Sequence, residues 1–197
     1  MGEMTLTDFL AIMALMVWPV VPLFWIPVHG CPRFFKKLGL MTYILPVITW
    51  LPLAYAVYHH REFLLNFKLV FPTAVPVSGA VLLLAGMMLN AWTALLLSLR
   101  GLMGLPEVSP LFEGRLTTGG PYSIVRHPTY LAHAIMLSGV FLISGVIAVA
   151  VLTFLDLVLI NLVIIPLEER ELISRFGKDY KKYRERVPGF FPRKRRW

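Results

Sequence analysis

Apolar positions in this chain come in long unbroken runs, with neither the alternation of half-buried strands nor the stripe of a soluble amphipathic helix. Residues 9–28, 38–58 and 69–99 carry no charged side chain. About 20 apolar residues at ~1.5 Å rise cross a ~30 Å hydrocarbon core, so each run is long enough to span a bilayer. A fourth run, 129–167, is nearly twice that length and holds Asp156 as its only acidic residue. Ser144-Gly145 is its natural break, giving two helices joined by a tight turn; one continuous helix would leave the extra length unexplained. The pattern predicts an all-α polytopic membrane protein with five spans, near 6–27, 39–58, 77–99, 129–144 and 146–166, the last two a tight hairpin. The short fourth span fits little tilt or an end below the surface. Beyond it, Leu172, Phe176, Tyr180 and Tyr183 recur at helix spacing and predict a cytoplasmic C-terminal helix over 169–187. The chain thus divides into a three-span N-terminal region, 1–100, and a region 101–197 of loop, helical hairpin and basic helix.

Composition agrees. With 197 residues, 57% of them hydrophobic, and a mean hydropathy of +0.71, the chain has too little interior to hide its apolar surface from water. The first run lacks a basic n-region, since Glu3 and Asp8 are acidic, and has no small-residue cleavage site, so it reads as a retained helix. A single cysteine, Cys31, excludes an internal disulfide framework and a cysteine-based metal cluster.

Charge sets the expected orientation. Five spans put the Cys31 loop, the 100–128 loop and the tail on one side. Those segments hold Arg33, Lys36, Lys37, Arg100, Arg115, Arg126 and eleven basic residues from 170 to 196, against Arg61 and Lys68 opposite, a split of 17 to 2. Basic residues stay cytoplasmic, so the tail and the 100–128 loop are expected there. The net charge of +8 comes largely from the tail. Beside a span, such a tail suits anionic lipid headgroups, at about 1 kcal/mol per basic residue near the surface, rather than nucleic acid. Phe190, Phe191 and Trp197 among the charges fit interfacial anchoring. No obligatory protein partner is evident.

Candidate chemistry gathers in the last third. The 100–128 loop is rich in glycine and proline and is expected to be irregular, with Thr117-Thr118-Gly119-Gly120 offering amides and hydroxyls to a ligand. In Arg126-His127-Pro128, the proline suits the first helical position and biases His127 toward extended backbone, aiming it out of the helix mouth. Tyr130 falls in the first turn, and loose amides there favour carboxylates. Glu168-Glu169-Arg170-Glu171 emerges at the far end of the run; a carboxylate there suits a cation or the hydroxyls of a ribose, while a solvated helix face is the plain alternative. Within the spans, Asn90 and Asn161 read as interhelical donors, Asp156 as a protonated structural acid or a partner of His133, and His29, His59 and His60 as interface markers. No metal site is expected: no HExxH and no paired histidines on one helix face occur. Walker and strand–GxGxxG–helix motifs are absent too, so a nucleotide-like cofactor would bind outside a Rossmann fold.

Gly120-Pro121-Tyr122, Arg126-His127-Pro128-Thr129-Tyr130, Glu168-Glu169, the stretch Phe176-Gly177-Lys178-Asp179-Tyr180-Lys181-Lys182-Tyr183 and Arg186-Val187-Pro188 together resemble the integral-membrane methyltransferases. That group includes isoprenylcysteine carboxyl methyltransferases and phospholipid N-methyltransferases. The resemblance covers about 107–192; the first three spans match only in being hydrophobic. It implies S-adenosylmethionine in a cytoplasmic pocket at the membrane surface, contacted by Glu107, Arg115, Leu116, Thr117, Tyr122, His127, Pro128, Thr129, Tyr130 and Glu168. His127 or Glu168 would take a proton from an amine or thiol acceptor, whereas a carboxylate acceptor needs no base. Prenylcysteine enzymes carry an arginine shortly before the acidic pair, where this chain has Ile164; Arg126 and Arg186 are the candidates to meet a substrate carboxylate instead. Ala132 stands where a glycine is common.

The resemblance leads us to expect a membrane enzyme that moves methyl from S-adenosylmethionine to a lipophilic acceptor entering from the bilayer, most like isoprenylcysteine carboxyl O-methylation. A phospholipid amine or small thiol is the alternative acceptor. An NADPH-dependent membrane reductase and a non-enzymatic membrane protein are the alternatives of other classes.

Overall fold

The computed structural model describes residues 4–109 and 114–191. The basic residues at 193–196, Trp197 and Glu3 lie outside the described residues, as does the side chain of Arg100. Helices account for nearly all regular structure. Among the described residues, extended backbone pairs only in an isolated bridge between Lys68 and Val146.

The N-terminal run forms α1 (Leu6–Val17) and α2 (Val20–Gly30), interrupted at Trp18 and Pro19. Thr5 and Asp8 close a reciprocal capping box at the start of α1, satisfying two otherwise loose amides. Pro19 lacks the N–H that an unbroken helix would use, and the sequence reading as one plain helix missed this break. Next come α3 (Pro32–Leu38), a 3-10 turn (Gly39–Tyr43), α4 (Ile44–His59) and the short α5 (Arg61–Asn66). The long α6 (Ala74–Leu102) is kinked at Ser98, whose φ is +62°. A four-residue α7 (Leu105–Val108) and a 3-10 turn (Gly120–Ser123) punctuate the loop expected to be irregular. Then α8 (Pro128–Ser144), α9 (Ile147–Leu159), a π turn (Ile160–Ile164) and α10 (Ile165–Arg186) complete the chain.

Four helical stretches are long and apolar enough to cross a membrane: Leu6–Gly30, Pro32–His59, Ala74–Ser98 and Ile147–Arg186. α8, with 17 residues, is the shorter apolar helix. Large side chains such as Leu95, Met88 and Leu162 stand 83%, 74% and 71% exposed, a surface suited to lipid.

The chain breaks where Ser144-Gly145 predicted. Gly145 takes φ +68° and ends α8, its N–H donating to Phe141 O at 2.8 Å. The turn is held from outside: Leu69 N–H donates to Gly145 O at 2.8 Å and Ile147 N–H to Phe67 O at 2.9 Å. Leu137 and Val140 share an apolar cluster with Val146, Val149 and residues 11, 12 and 15 of α1; Tyr130 and Ala134 share another with Ile160, Ile164 and Phe190.

α6 lies closely along α8 because both are notched by small residues. A Cβ on Gly79 would stand 2.8 Å from Gly139 O, and one on Gly86 would stand 3.0 Å from Ala132 O and 2.5 Å from Met136 Cγ. Small residues on facing positions let backbones approach in the absence of a hydrophobic drive between helices. Ala132, fully buried, fills this seam.

A cavity at the mouth of helix α8

α8 starts at Pro128, as expected, with His127 as its N-cap residue at φ −121° and ψ 59°, short of fully extended. The imidazole lies between two carboxylates: Nδ1 is 3.4 Å from Glu168 Oε2 and Nε2 is 3.3 Å from Glu169 Oε1. Arg126 braces Glu169 of this pair. Its Nε donates to Glu169 Oε1 at 2.9 Å, a second guanidinium nitrogen reaches that carboxylate, and Nη1 donates to the carbonyls of Arg184, at 3.1 Å, and Val187. Backbone completes the tie, with the N–H groups of Arg126 and His127 donating to Pro188 O and Gly189 O at 2.9 and 3.1 Å. Residues about sixty apart in sequence are thereby fastened at one helix mouth.

Burial alone would lower the His127 pKa, but the charge of Glu168 and hydrogen bonds to both carboxylates outweigh it and lift it to about 9. Burial pushes the Tyr122 hydroxyl up to about 12, with the Glu168 charge acting in the same direction. That hydroxyl lies 3.3 Å from Thr129 Oγ1, while Tyr183 Oη donates to Tyr122 O at 2.6 Å. Glu107 is also raised: burial dominates over its ion pair with Arg175 Nη1 at 2.5 Å. Arg175 also reaches Glu171 Oε1 at 3.5 Å, and Glu171 Oε2 sits 2.7 Å from His29 Nδ1. Glu107, Arg175, Glu171 and His29 therefore form a buried polar chain from the loop through α10 to α2.

These groups surround a cavity of about 720 Å³. Glu107, Arg115, Leu116 and Thr117 line it from the loop, Tyr122, His127, Thr129 and Tyr130 from the α8 mouth, and Glu168 from α10. Arg126 also borders it, its donors taken up by Glu169 and by backbone carbonyls. Pro128 is buried behind the wall, less than 2% exposed. Arg186 lies elsewhere, beside a smaller hollow of about 300 Å³ with Thr118, Asp179 and Lys182. Ile164 is fully buried against Tyr130 and Ile160.

Several lining groups escaped the sequence reading. His29, read as an interface marker, is buried and bound to Glu171. Asn90 and His133 line the cavity from inside the spans. Asp156 does not pair with His133: both its carboxyl oxygens are buried without a hydrogen-bond partner among the described residues. On α10 a signal was available, since Glu168, Glu171 and Arg175 follow each other at helix spacing beside the Leu172, Phe176, Tyr180 stripe. For His29 and Asn90 no local signal exists, because only tertiary contact brings them to the site.

Residues 75–179 match the family model described as phospholipid methyltransferase. The match starts upstream of the resemblance read from motifs and takes in α6. The cobalt-zinc-cadmium resistance protein CzcN of Cupriavidus metallidurans is 34% identical over 115 residues, 53% of this chain and 53% of its own. The protein-S-isoprenylcysteine O-methyltransferase of Schizosaccharomyces pombe is 34% identical over 84 residues, 39% of this chain and 33% of its own. A methanethiol S-methyltransferase of Crocosphaera subtropica is 35% identical over 98 residues, 46% of this chain and 37% of its own. The chain thus spans about half the length, or less, of the curated relatives it matches. The matched segment, just over half of the chain, carries α6, the loop, α8 and the acidic start of α10, and with them most of the cavity wall; the chain belongs to the phospholipid methyltransferase family of multi-helix membrane proteins.

Proposed function

We propose that this protein transfers a methyl group from S-adenosylmethionine to a lipophilic acceptor at the membrane–cytoplasm interface. The observation that carries the reading is the cavity itself. Its volume of about 720 Å³ falls within the usual range for small-molecule sites, roughly 300–1,000 Å³. The donor set fits the cofactor: Glu107 Oε2 and Glu168 Oε2 are both buried with no hydrogen-bond partner among the described residues, the latter 3.4 Å from His127 Nδ1. Carboxylates of this kind suit a sulfonium and an ammonium. Leu116 and Thr117 would present backbone to the adenine, and Tyr122, His127, Thr129 and Tyr130 would close the wall.

When bound, the cofactor supplies an electrophilic methyl carbon. The protein's part is to align the acceptor with it and keep water out. The acceptor would arrive laterally from lipid. α8 and α9 would be the fourth and fifth crossings, which puts the C-terminal helix and the cavity mouth on the cytoplasmic side with most of the basic residues. Anionic headgroups would then meet the exposed basic face of α10.

Isoprenylcysteine-type carboxyl O-methylation is one acceptor reading, supported by the name of the yeast relative. A second reading, a thiol or amine acceptor, is favoured by the arginines. Arg126 is engaged by Glu169 and two carbonyls, Arg186 lies outside the cavity, and Ile164 brings no charge.

Calorimetric titration of S-adenosylhomocysteine into detergent-purified protein tests the proposal. Saturable binding is expected, weakened at least about tenfold by Glu168→Ala and by His127→Ala. No binding to folded wild-type protein at about 1 mM ligand overturns it, and makes NADPH the next ligand, as a membrane reductase would require; a non-enzymatic protein would bind neither.

A further inference from the structure

We infer that Glu107 of α7 and Arg175 of α10 form the subsite for the α-amino-acid end of S-adenosylmethionine, Glu107 receiving its ammonium and Arg175 its carboxylate. This rests on the methyl-transfer reading above and adds which end of the cofactor meets which acid.

An α-amino acid carries a cation and an anion on one carbon, so an acid and a base held side by side match it. The motifs marked Glu107 but not Arg175. In the fold the two meet: Arg175 Nη1 donates to Glu107 Oε1 at 2.5 Å, and both side chains line the cavity. Each keeps capacity that the pair does not use. Glu107 Oε2 is buried without a hydrogen-bond partner among the described residues. Burial raises the Glu107 carboxyl pKa in spite of Arg175, so a cation at Oε2 would stabilise the charged form. On Arg175, Nη1 carries the bond to Glu107 and a longer approach, 3.5 Å, to Glu171 Oε1, while Nε and Nη2 donate to nothing among the described residues. Glu171 has a nearer partner of its own in His29, 2.7 Å away, which leaves the rest of the guanidinium for a ligand.

The loop is shaped around this guanidinium. A Cβ on Gly114 would stand 1.8 Å from Arg175 Nη2 and 3.2 Å from Pro106 Cβ, so bare backbone is required where the loop crosses the pair. Arg115, the next residue, lines the same cavity, is exposed, and makes no ion pair among the described residues. It brings a second guanidinium to the carboxylate side of the subsite.

The acid at the α8 mouth lacks that companion. Glu168 Oε2 is also buried and unpartnered, but the cations beside it are committed. His127 lies between Glu168 and Glu169, and Arg126 donates to Glu169 and to backbone carbonyls. An ammonium could be met there; a carboxylate beside it could not. The Glu107–Arg175 corner meets both charges at once.

Calorimetry with four ligands tests this: S-adenosylhomocysteine, its two analogues in which hydrogen replaces the α-amino or the α-carboxyl group, and methylthioadenosine, which lacks the amino-acid end. Wild-type protein is expected to bind S-adenosylhomocysteine at least about tenfold more tightly than either single-group analogue, the size of one charge-assisted hydrogen bond. Glu107→Gln, nearly isosteric, should weaken S-adenosylhomocysteine and the decarboxy analogue about tenfold and the deamino analogue less than about threefold. Arg175→Gln should do the converse, weakening S-adenosylhomocysteine and the deamino analogue while sparing the decarboxy analogue. Methylthioadenosine affinity should stay within about threefold in both variants, which reports that the cavity is intact. Wild-type protein that binds either analogue as tightly as S-adenosylhomocysteine overturns the inference. So does Glu107→Gln weakening all four ligands alike, the mark of a corner that only supports the fold. Either result leaves methyl transfer standing, because wild type still binds S-adenosylhomocysteine. Absence of S-adenosylhomocysteine binding to wild type would sink both.

Discussion

Replacing His29 by alanine should unfold the protein far more readily than a residue at the end of a first span would suggest. His29 and Glu171 are 3% and 6% exposed in their side chains and 2.7 Å apart, so solvent screens their attraction little. Removing the imidazole leaves Glu171 buried with only Arg175 at 3.5 Å. Breaking a buried pair by deleting one partner costs about 3–5 kcal/mol. The stacking of His29 on Trp25, with centroids 5.0 Å apart and planes 12° from parallel, adds about 0.5–1.5 kcal/mol. At roughly 2–4 °C per kcal/mol for a chain of this size, the thermal midpoint in detergent should fall by on the order of 10 °C. Because the pair joins α2 to α10, S-adenosylhomocysteine affinity should fall as well. The His29→Ala/Glu171→Ala double variant should lose clearly less than the sum of the two single losses, since the second change removes the stranded charge. A midpoint within about 2 °C of wild type for His29→Ala, or strict additivity in the cycle, would refute the reasoning.

Two further predictions come from the α8 mouth and from the turns. The His127 pKa is raised above its ordinary 6.5 to about 9, so its contribution to stability is fully present below about pH 6.5 and is lost as pH rises through about 9. Melting midpoints measured from pH 6 to 10 should therefore decline across that window, and Glu168→Gln should flatten the decline. At Gly145, φ is +68° and an added Cβ would collide with Leu69 O. Gly145→Ala should cost more than about 2 kcal/mol in a detergent melt, whereas Gly177→Ala, at φ +54° and ψ −120° with open space around it, should cost only the ~1–3 kcal/mol of its strained backbone.

Run length and turn chemistry made most of the fold legible. Uncharged stretches of about 20 residues or more became helices, Pro128 opened α8, and Ser144-Gly145 ended it because glycine alone takes a left-handed backbone there without strain. The interruption at Trp18 and Pro19 was missed because hydropathy does not register a lost backbone donor. At the site, the motif residues around 115–130 and Glu168 could be read in advance because each sits beside punctuation, glycine, proline or an abrupt charge. His29, Asn90 and His133 could not. Each is a single polar residue in an apolar run, and its meaning depends on which neighbour the helix packing turns it toward. The Gly79–Gly139 and Gly86–Ala132 seam sets that register for Asn90, and a seam of small residues fixes a partner only once both helices are in place.

The α8 mouth also explains why the motif's own promise of an anion site is not fulfilled there. A free helix start offers loose amides and a partial positive charge. Here the preceding amides of Arg126 and His127 are taken by Pro188 O and Gly189 O, and the anions beside the helix end are the chain's own Glu168 and Glu169. The helix end is thus neutralised from within, and the price is a protonated His127 that holds the acid pair in place. Carboxylate oxygens not consumed by that arrangement, Glu107 Oε2 foremost, would suit a ligand that brings donors or positive charge of its own. The 187–190 segment is therefore part of the site: it supplies the carbonyls that anchor Arg126, and Phe190 packs against Tyr130 and Ile164 in the wall behind. The mouth, charged and self-neutralised, accordingly differs in kind from the part of the cavity lined by Asn90 and His133, whose Oδ1 and Nδ1 are buried without a hydrogen-bond partner among the described residues. On the proposed reading, that division would suit a cationic donor at the mouth and an apolar acceptor deeper in the same pocket.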